Sequence, residues 1–395
     1  MLTRLSFKNW RSLRDVTIDN LTPITVFVGA NSSGKTNIID GLDFLRFAFD
    51  EGLLPAVGKW GGQHEIRYRR AQQTEPIEIE TKFKEIDGLQ GPITETISLA
   101  FPVNNPNILL KFRRTLLEDG SSLIYNELYT LPFVQDSGRR VTEPDLNSLE
   151  RADAISGVLN TLLKKRIQLI SEDFITPIRG EYFDDPYVIN KQGSNVPSML
   201  YYMQQFAPDV FNHFQEDVSQ LLSHVSSVTL LQNGQEVELE VAEPALGGKS
   251  APTISAGTRR LISVLAAYYA LDLPSPTMPQ PRKPEVPDMR SPNAPGLVIV
   301  EDADIALHPL LLGNFVDLLR SYTDRKEPRQ FILTTHNPQL LNYFQPEEIR
   351  VVERDPETGE TSVDNVPEYL KETWLPNHRL GEAWTSRLIG GIPEV

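Results

Sequence analysis

The apolar positions of the chain follow two periods, and the changes between them divide the sequence into regions. Strict alternation or a short β-branched run predicts a strand, whereas apolar residues three and four apart predict a helix. Leu2–Phe7, Val16–Ile18 and Pro23–Val28 therefore predict three strands, and Ile38–Phe49 predicts a helix that ends at about Asp50. The chain opens as strands followed by a helix.

The middle of the chain changes to period two and then back to helical spacing. Alternation predicts an antiparallel meander of the four strands Ile77–Phe83, Thr94–Val103, Ile108–Leu117 and Leu123–Leu131. Beyond it, the pattern predicts a helix over Glu143–Ile170, a strand over Phe174–Gly180 that turns at the glycine, two helices around Pro208 within Val196–Val225, and a strand pair at Val228–Leu231 and Val237–Val241.

The last third alternates strands with helices. A helix is predicted over Leu261–Leu271, strands over Gly296–Val300 and Gln330–Thr335 with a helix at Leu310–Tyr322 between them, and a hairpin over Ile349–Glu353 and Thr361–Val366. Such alternation is typical of a parallel α/β sheet. Residues 274–295 contain eight prolines, which predicts an extended surface loop.

These patterns predict four regions. Residues 1–75 would form the N-terminal half of a head domain, 76–135 an antiparallel β-lobe, 136–250 a helical lid with a strand pair, and 251–395 the C-terminal half of the head. The two halves of the head domain would thus be separated in the sequence by an insertion.

Composition narrows the class of protein. The chain has 395 residues, of which 40% are hydrophobic and 23% charged, as in soluble globular proteins. We expect a cytoplasmic protein without a membrane partner, because no apolar run approaches the ~20 residues of a membrane span and the N-terminus is charged. The absence of cysteine excludes disulfides, thiolate zinc sites and cysteine nucleophiles. A net charge of −15 argues against indiscriminate coating of nucleic acid.

The stretch Gly29–Thr36 fits G-x-x-x-x-G-K-[ST], the pattern of a phosphate-binding P-loop. It lies between a predicted strand and a predicted helix, so backbone N–H groups and the helix N-terminus can surround a polyphosphate. Lys35 would reach the outer phosphates, and the Thr36 hydroxyl would hold Mg²⁺. The predicted nucleotide-binding residues are Gly29, Asn31, Ser32, Ser33, Gly34, Lys35 and Thr36.

Three other segments contain residues that could complete a nucleotide-binding site together with the P-loop. Glu301 and Asp302 end an apolar strand, where one acid can hold a metal and the other can activate water. His336 follows the next strand and could sense a γ-phosphate. Ser255-Ala256-Gly257 opens a helix and could bind an anion. Taken singly, each also has an ordinary structural interpretation, as a polar turn, a structural histidine or a helix cap.

Together these segments resemble the ATP-binding cassette heads of RecF, SMC and OLD proteins, above all the stand-alone AAA_21 and AAA_15 ATPases of bacterial anti-phage operons. The resemblance rests on the P-loop form G-x-N-x-S-G-K-[ST], on the order of the segments along residues 1–70 and 250–395, and on the tail Leu380–Trp384. It implies an α/β P-loop NTPase head of ABC/RecF type, with a mixed sheet, an inserted antiparallel β-lobe and a helical lid.

The resemblance also implies roles for individual residues. Glu301 would be the Walker B acid on Mg²⁺, Asp302 the general base, and His336 the switch histidine. Ser255 and Gly257 would contact the γ-phosphate bound by a second protomer, and Ala303–His308 would be the D-loop. Gln63, in the segment Gly58–Arg70 whose polar composition alone favours a surface loop, would be the Q-loop glutamine that helps to bind nucleotide and metal.

The implied function is a Mg²⁺-dependent ATPase whose homodimer encloses two ATP molecules. Since this chain has Glu301-Asp302 where the family usually has two glutamates, we expect slow turnover. The resemblance favours a nucleotide-gated clamp or sensor that holds a separate effector, a nuclease or toxin, in anti-phage defence. The alternative is a RecF-like ATPase that binds duplex DNA, supported by the basic clusters Arg67-Arg69-Arg70, Arg113-Arg114, Arg139-Arg140 and Lys164-Lys165-Arg166. A transporter subunit is disfavoured by the short signature.

Overall fold

The computed structural model describes residues 1–84, 92–101, 108–117, 122–130, 133–135, 139–141, 167–171, 179–181, 186–190, 193–247, 249–250, 254–273, 296–324 and 329–391. They fall into two compact units, the first within Met1–Lys164 and Gln345–Val395, the second within Lys165–Pro281 and Asp288–Phe344. The predicted loop 274–295, the predicted helix as far as residue 166, and residues 174–178 lie outside the described residues.

The strands follow one another along the chain as β1 (Leu2–Trp10), β2 (Leu13–Ile18), β3 (Ile24–Val28), β4 (Ile77–Phe83), β5 (Ile93–Ala100), β6 (Ile108–Leu117), β7 (Ser122–Thr130), β8 (Phe133–Gln135), β9 (Arg139–Val141), β10 (Ile167–Ile170), β11 (Arg179–Glu181), β12 (Ser227–Asn233), β13 (Glu236–Glu243), β14 (Lys249–Ser250), β15 (Gly296–Val300), β16 (Arg329–Thr335), β17 (Ile349–Arg354) and β18 (Thr361–Asn365). The helices are α1 (Lys35–Asp50), α2 (Leu53–Lys59), α3 (Gln63–Ile66), α4 (Val196–Phe206), α5 (Pro208–Leu221), α6 (Ala256–Ala270), α7 (Leu312–Thr323), α8 (Pro338–Leu341), α9 (Glu368–Thr373) and α10 (Leu380–Thr385).

The first unit contains a large antiparallel sheet in the order β2-β1-β4-β5-β6-β7-β8, with β9 beside β7. Burial alternates along β4 and β5, as the period-two pattern requires. The predicted meander is confirmed, and the bounds of β4 and β6 are those predicted. Because β1 pairs with both β2 and β4, this sheet continues across residue 75, where a region boundary was predicted.

A second group of strands in the first unit positions the P-loop. β3 is buried along its whole length and pairs in parallel with β17, which pairs antiparallel with β18. The predicted C-terminal hairpin is therefore confirmed as part of a mixed sheet. α1 follows β3 after the P-loop and ends at Asp50, as predicted.

In the second unit, β15 lies between β10 and β16, and both pairings are parallel. All residues of these three strands are buried. The prediction of helix up to Ile170 is wrong for its last four residues, Ile167–Ile170. Their apolar run pairs with β15 in the register Ile167 to Leu297, and this tertiary pairing prevails over the helical spacing.

The second unit also contains α4 and α5, which meet at Pro208 as predicted, and a small antiparallel sheet in the order β11-β13-β12 with β14 on β13. The predicted turn at Gly180 is wrong, since this glycine lies inside β11 and is paired with Val237. A Cβ at Gly180 would lie 2.7 Å from the carbonyl oxygen of Ser194, so close packing explains the glycine.

The α/β class is confirmed by these elements. Within the ranges that the structure describes, the helices are too short or too polar to cross a bilayer.

Candidate nucleotide-binding site

The P-loop joins β3 to α1 in a backbone path that its glycines permit. Gly34 adopts a φ of 114° immediately before the first residue of α1, a conformation that strongly favours glycine. A Cβ at Gly29 would collide with the carbonyl oxygen of Val352 in β17, and one at Gly34 would collide with the side chain of Thr361 in β18. Both glycines are therefore required by neighbours that the motif itself does not contain.

The Lys35 ammonium lies against the loop that precedes it. Its Nζ donates hydrogen bonds of 2.8 Å to the carbonyl oxygens of both Gly29 and Ala30, and the residue is only 8% exposed. A cation held at a helix N-terminus concentrates positive charge where backbone N–H groups are also available. Polyphosphate is the ligand that this combination suits.

The burial and hydrogen bonding of the other P-loop residues indicate whether a phosphate group and Mg²⁺ fit this loop. The Ser33 hydroxyl is buried and has no hydrogen-bond partner among the described residues, as expected of a group that waits for a ligand. Asn31, Ser32 and Thr36 are exposed, so their side chains are accessible from solvent. The donor set fits a nucleotide phosphate, with the Thr36 hydroxyl as the available metal ligand in this loop.

A chain of buried hydrogen bonds supports the P-loop, and sequence analysis did not find it. The Thr361 hydroxyl donates to the carbonyl oxygen of Ser33 at 2.9 Å and lies 2.7 Å from the Ser12 hydroxyl. Asn37 of α1 donates from its side-chain amide to Ser12 at 2.6 Å. No local pattern connects these residues, because Ser12 and Thr361 are 349 positions apart.

The segment around Gln63 is more structured than a surface loop. It contains the end of α2 and the short helix α3, which begins at Gln63, and its Trp60 is buried. The carbonyl oxygen of Ile66 accepts a hydrogen bond of 2.8 Å from the backbone N–H of Arg11, in the turn between β1 and β2. Gln63 itself is half-buried and belongs to the first unit, as the P-loop does.

Two arginines of the first basic cluster, Arg67 and Arg70, form hydrogen bonds within the first unit. Arg67 is buried, and its guanidinium donates to the carbonyl oxygens of Gln72 and Glu75. Burial lowers the pKa of Arg67. The Arg70 guanidinium donates to the carbonyl oxygen of Glu357. The side chains of the other three clusters lie outside the described residues.

In the second unit, β15 ends at the predicted acid pair. Glu301 is 7% exposed, and its backbone N–H donates to the carbonyl oxygen of Ile170 at 2.8 Å, which extends the parallel pairing by one residue. Asp302 has a φ of 41° and donates its N–H to the Thr334 hydroxyl at 2.8 Å. Aspartate tolerates this left-handed conformation better than most residues do.

The structure brings two predicted catalytic residues into contact. Asp302 Oδ1 lies 3.4 Å from His336 Nδ1, and the side chains are 13% and 46% exposed. The contact arises because β15 and β16 are parallel neighbours, so the residues that follow them meet at one edge of the sheet. A carboxylate paired with a half-exposed imidazole can orient and deprotonate a water molecule.

Arg260 of α6 forms hydrogen bonds with the backbone at the acid pair Glu301-Asp302, and sequence analysis did not identify it. It is 3% exposed, and its guanidinium donates to the carbonyl oxygens of Ser171 and Glu301. These carbonyls lie just beyond the ends of β10 and β15. Arg260 thus fixes the backbone at the position from which Glu301 and Asp302 project.

The predicted signature caps α6 and packs against the predicted D-loop. The Ser255 hydroxyl accepts a hydrogen bond of 3.1 Å from the backbone N–H of Thr258, which makes Ser255 the N-cap residue. A Cβ at Gly257 would collide with the carbonyl oxygen of Ala306, so glycine is needed for this approach. Ser255 and Ala256 are exposed, which leaves the start of the helix open to a ligand.

The predicted site residues are therefore distributed between the two units. Gly29–Thr36 and Gln63 lie in the first unit. The second unit contains Ser255, Gly257, Glu301, Asp302 and His336. Within the second unit the structure joins Asp302 to His336 and Gly257 to the D-loop.

Comparisons with known proteins agree with this architecture. The chain is similar to an uncharacterized protein of Methanocaldococcus jannaschii, 32% identical over 120 residues, which are 29% of this chain and 35% of that protein. It is also similar to the DNA replication and repair protein RecF of Lactococcus lactis subsp. cremoris, 30% identical over 93 residues, which are 21% of this chain and 24% of RecF. The chain thus spans about a third or less of the curated relatives it matches.

Two solved SMC heads share the fold. A head bound to the C-winged helix domain of ScpA is 17% identical, with a TM-score of 0.54 over 94% of this chain and 99% of that one. A head from Pyrococcus furiosus with an extended coiled coil, bound to the C-terminal domain of ScpA, is 15% identical, with a TM-score of 0.51 over 95% and 98%. The predicted fold class, a P-loop NTPase head of ABC/RecF type, is confirmed.

The family is identified by a match that covers most of the chain. Residues 24–342, which include every predicted site residue, match the AAA_21 family, described as "AAA domain, putative AbiEii toxin, Type IV TA system". This chain therefore belongs to the AAA_21 family, within the class of P-loop ATPases that includes RecF and SMC heads.

Proposed function

We propose that this protein is a Mg²⁺-dependent ATPase whose two copies enclose ATP and act as a nucleotide-gated clamp or sensor. The observation that carries the proposal is the P-loop itself. Lys35 is held by two loop carbonyls at the start of α1, and the buried Ser33 hydroxyl has no partner among the described residues. Both features favour a bound triphosphate.

The proposal of a homodimer rests on two segments that could each bind phosphate, the P-loop and the N-terminus of α6. The P-loop supplies contacts to the phosphates from one copy. The open N-terminus of α6, with Ser255 as its cap and Gly257 in its first turn, supplies an anion-binding group for the partner's ATP. Each copy then completes a site only in the presence of the other, so ATP would stabilise the dimer.

The roles of the side chains follow from their chemistry. Lys35 binds the outer phosphates, and Thr36, Glu301 and Gln63 would hold Mg²⁺, which neutralises charge on the phosphate oxygens when bound. Asp302 accepts the proton of the attacking water, while His336 orients its carboxylate through the 3.4 Å contact. Arg260 holds the strand ends so that both carboxylates keep their positions.

We propose further that the clamp controls a separate effector, a nuclease or toxin, in bacterial anti-phage defence. The description of the AAA_21 family as an AbiEii toxin and Type IV TA system supports a role in such a system. The net charge of −15 suits a basic protein partner. Cells that express the chain with its flanking genes should resist phage, and Lys35→Ala should abolish the resistance. Equal plaque counts with and without the genes would contradict the defence role and leave the ATPase proposal intact.

The second candidate is a RecF-like ATPase that binds duplex DNA, favoured by the 30% identity to RecF over 93 residues. Phosphate contacts predict that DNA affinity falls steeply as salt increases. Duplex binding should be measured with and without ATP at two salt concentrations. ATP-dependent binding that weakens with salt favours the RecF-like function, and absence of binding at low salt favours effector control.

The central experiment compares wild type with Lys35→Ala. We expect the variant to lose MgATP binding in titration calorimetry and phosphate release in a steady-state assay. Lys8→Ala is a matched control, because the Lys8 side chain is exposed and forms a surface ion pair with Glu78. Normal hydrolysis by Lys35→Ala would refute the proposed site.

A further inference from the structure

We propose that Thr361 is a positioning residue for nucleotide binding, and that it acts with Ser12 to hold one P-loop peptide in the orientation that binds phosphate. The inference rests on the proposed ATPase function. It extends the site beyond the P-loop motif to the β17–β18 hairpin and the β1–β2 turn.

The directions of the hydrogen bonds follow from their donors. The Thr361 hydroxyl donates to the carbonyl oxygen of Ser33, so it can only accept from Ser12 at 2.7 Å. Ser12 uses its proton in that bond and accepts from the Asn37 side-chain amide at 2.6 Å. A single ordered chain therefore runs from Asn37 through Ser12 and Thr361 to the P-loop backbone.

The carbonyl at the end of this chain controls a backbone N–H of the loop. The peptide between Ser33 and Gly34 is planar and trans, so its C=O and the N–H of Gly34 point in opposite directions. When Thr361 holds the Ser33 oxygen, it also turns the Gly34 N–H away from β18. Backbone N–H groups at this place in a P-loop are the ones that bind phosphate oxygens.

The surroundings leave Thr361 little freedom. It is 4% exposed, and its side chain occupies the space where a Cβ of Gly34 would lie. Its backbone N–H also donates to the carbonyl oxygen of Ser12 at 2.9 Å. A hydroxyl in this position is therefore held toward the P-loop by contacts from two elements, the loop itself and the β1–β2 turn.

The backbone in and beside the β1–β2 turn, which contains Ser12, has an unusual conformation. Asn9 and Arg11 have φ values of 53° and 49°, which few residues other than glycine adopt. The turn is fixed by the hydrogen bond from the Arg11 N–H to the carbonyl oxygen of Ile66, the last residue of α3. Non-glycine residues in such conformations persist where surrounding contacts determine them, and they are concentrated at functional sites.

The test is Thr361→Val, which keeps the shape of the side chain and removes the hydroxyl. We expect MgATP affinity to fall about 10-fold or more by titration calorimetry, because the Ser33 carbonyl is left buried without its donor. Thr361→Ser retains the hydroxyl and should restore affinity to within about twofold of wild type. Thr373→Val is the matched control, since the Thr373 hydroxyl donates to a helix carbonyl of Tyr369 on the surface of the same unit.

A purely structural role for Thr361 predicts a different pattern. Melting temperature would then fall in Thr361→Val while affinity of the folded protein stayed within about twofold of wild type. That result would overturn the proposal. Should Thr361→Val not fold, Ser12→Ala provides the second variant, and unchanged affinity in that variant would overturn the proposal as well.

The outcomes separate this inference from the proposed function. Failure of wild-type protein to bind MgATP would refute the ATPase function and the inference with it. Tight binding by wild type and by Thr361→Val alike would refute only the role of Thr361. In a double-mutant cycle, Ser12→Ala and Thr361→Val should be less than additive in affinity, because they interrupt the same chain.

Discussion

Replacement of Asp302 by glutamate should accelerate the proposed ATP hydrolysis and make the protein less stable. The family that the chain resembles usually has glutamate at this position, one methylene longer. Asp302 follows β15 at a φ of 41°, and its carboxylate lies 3.4 Å from His336. The shorter side chain is therefore compatible with its backbone, but its carboxylate reaches one methylene less far than that of glutamate would.

The magnitude follows from the lost reach. One additional C–C bond extends the carboxylate by about 1.5 Å, and a misplacement of ~1 Å in a catalytic group can cost about 100-fold in rate. We expect Asp302→Glu to accelerate hydrolysis by about 10- to 100-fold. The opposite effect on stability arises from the backbone, because glutamate tolerates the left-handed region less well than aspartate, at about 1 kcal/mol.

Single-turnover phosphate release at saturating MgATP measures the chemical step without product release. MgATP affinity should be unchanged, since Lys35 and the P-loop are untouched. Asp302→Asn keeps the shape of the side chain and removes the base, so its rate should fall below that of wild type. Urea unfolding of each variant measures the cost in stability separately from the rate.

Two results would contradict this reasoning. Hydrolysis by Asp302→Glu at or below the wild-type rate, with MgATP still bound, would show that reach does not limit the reaction. A wild-type rate in Asp302→Asn would show that Asp302 is not the base.

Three further predictions concern the second unit. Gly257→Ala should destabilise it by about 1–3 kcal/mol, because the new Cβ meets the Ala306 carbonyl, and should prevent ATP-dependent dimerisation in analytical ultracentrifugation while monomers still bind ATP. Arg260→Met should cost about 3 kcal/mol in urea unfolding, since it removes the two buried hydrogen bonds from the guanidinium to the carbonyls at the strand ends. Burial, together with Asp217, raises the pKa of Tyr322, so above about pH 10 the folded state keeps a proton that the unfolded state loses, and stability falls as pH rises. Tyr322→Phe should make that alkaline decline less steep in denaturation experiments between pH 8 and 11, and an unchanged slope would contradict the assignment.

Several features of this protein follow from local sequence alone. The P-loop could be predicted because its chemistry needs specific residues at consecutive positions, and the strand and helix on either side have their own periodicity. The same holds for the meander, whose alternation marks β4 and β6 to the residue. The acid pair and His336 could be named because each directly follows an apolar strand.

Local sequence was misleading where a long-range partner decides the conformation. Ile167–Ile170 continues a helical pattern, yet it is a strand because β15 offers it a parallel neighbour. Gly180 lies within β11, where the Ser194 carbonyl leaves no room for a side chain. In both cases the free energy of pairing and packing exceeds the local preference of the residues.

Only the tertiary structure decided which residues support the site. Thr361, Ser12 and Arg260 belong to no motif, because a hydrogen bond between distant residues leaves no periodic trace in the sequence. Parallel pairing of β15 with β16 places Asp302 against His336, and the hairpin places Thr361 against the P-loop. The sequence by itself determined which groups have the chemistry expected of an ATP site, whereas the fold determined which of them meet and what holds them there, since hydrogen bonds and packing act across space rather than along the chain.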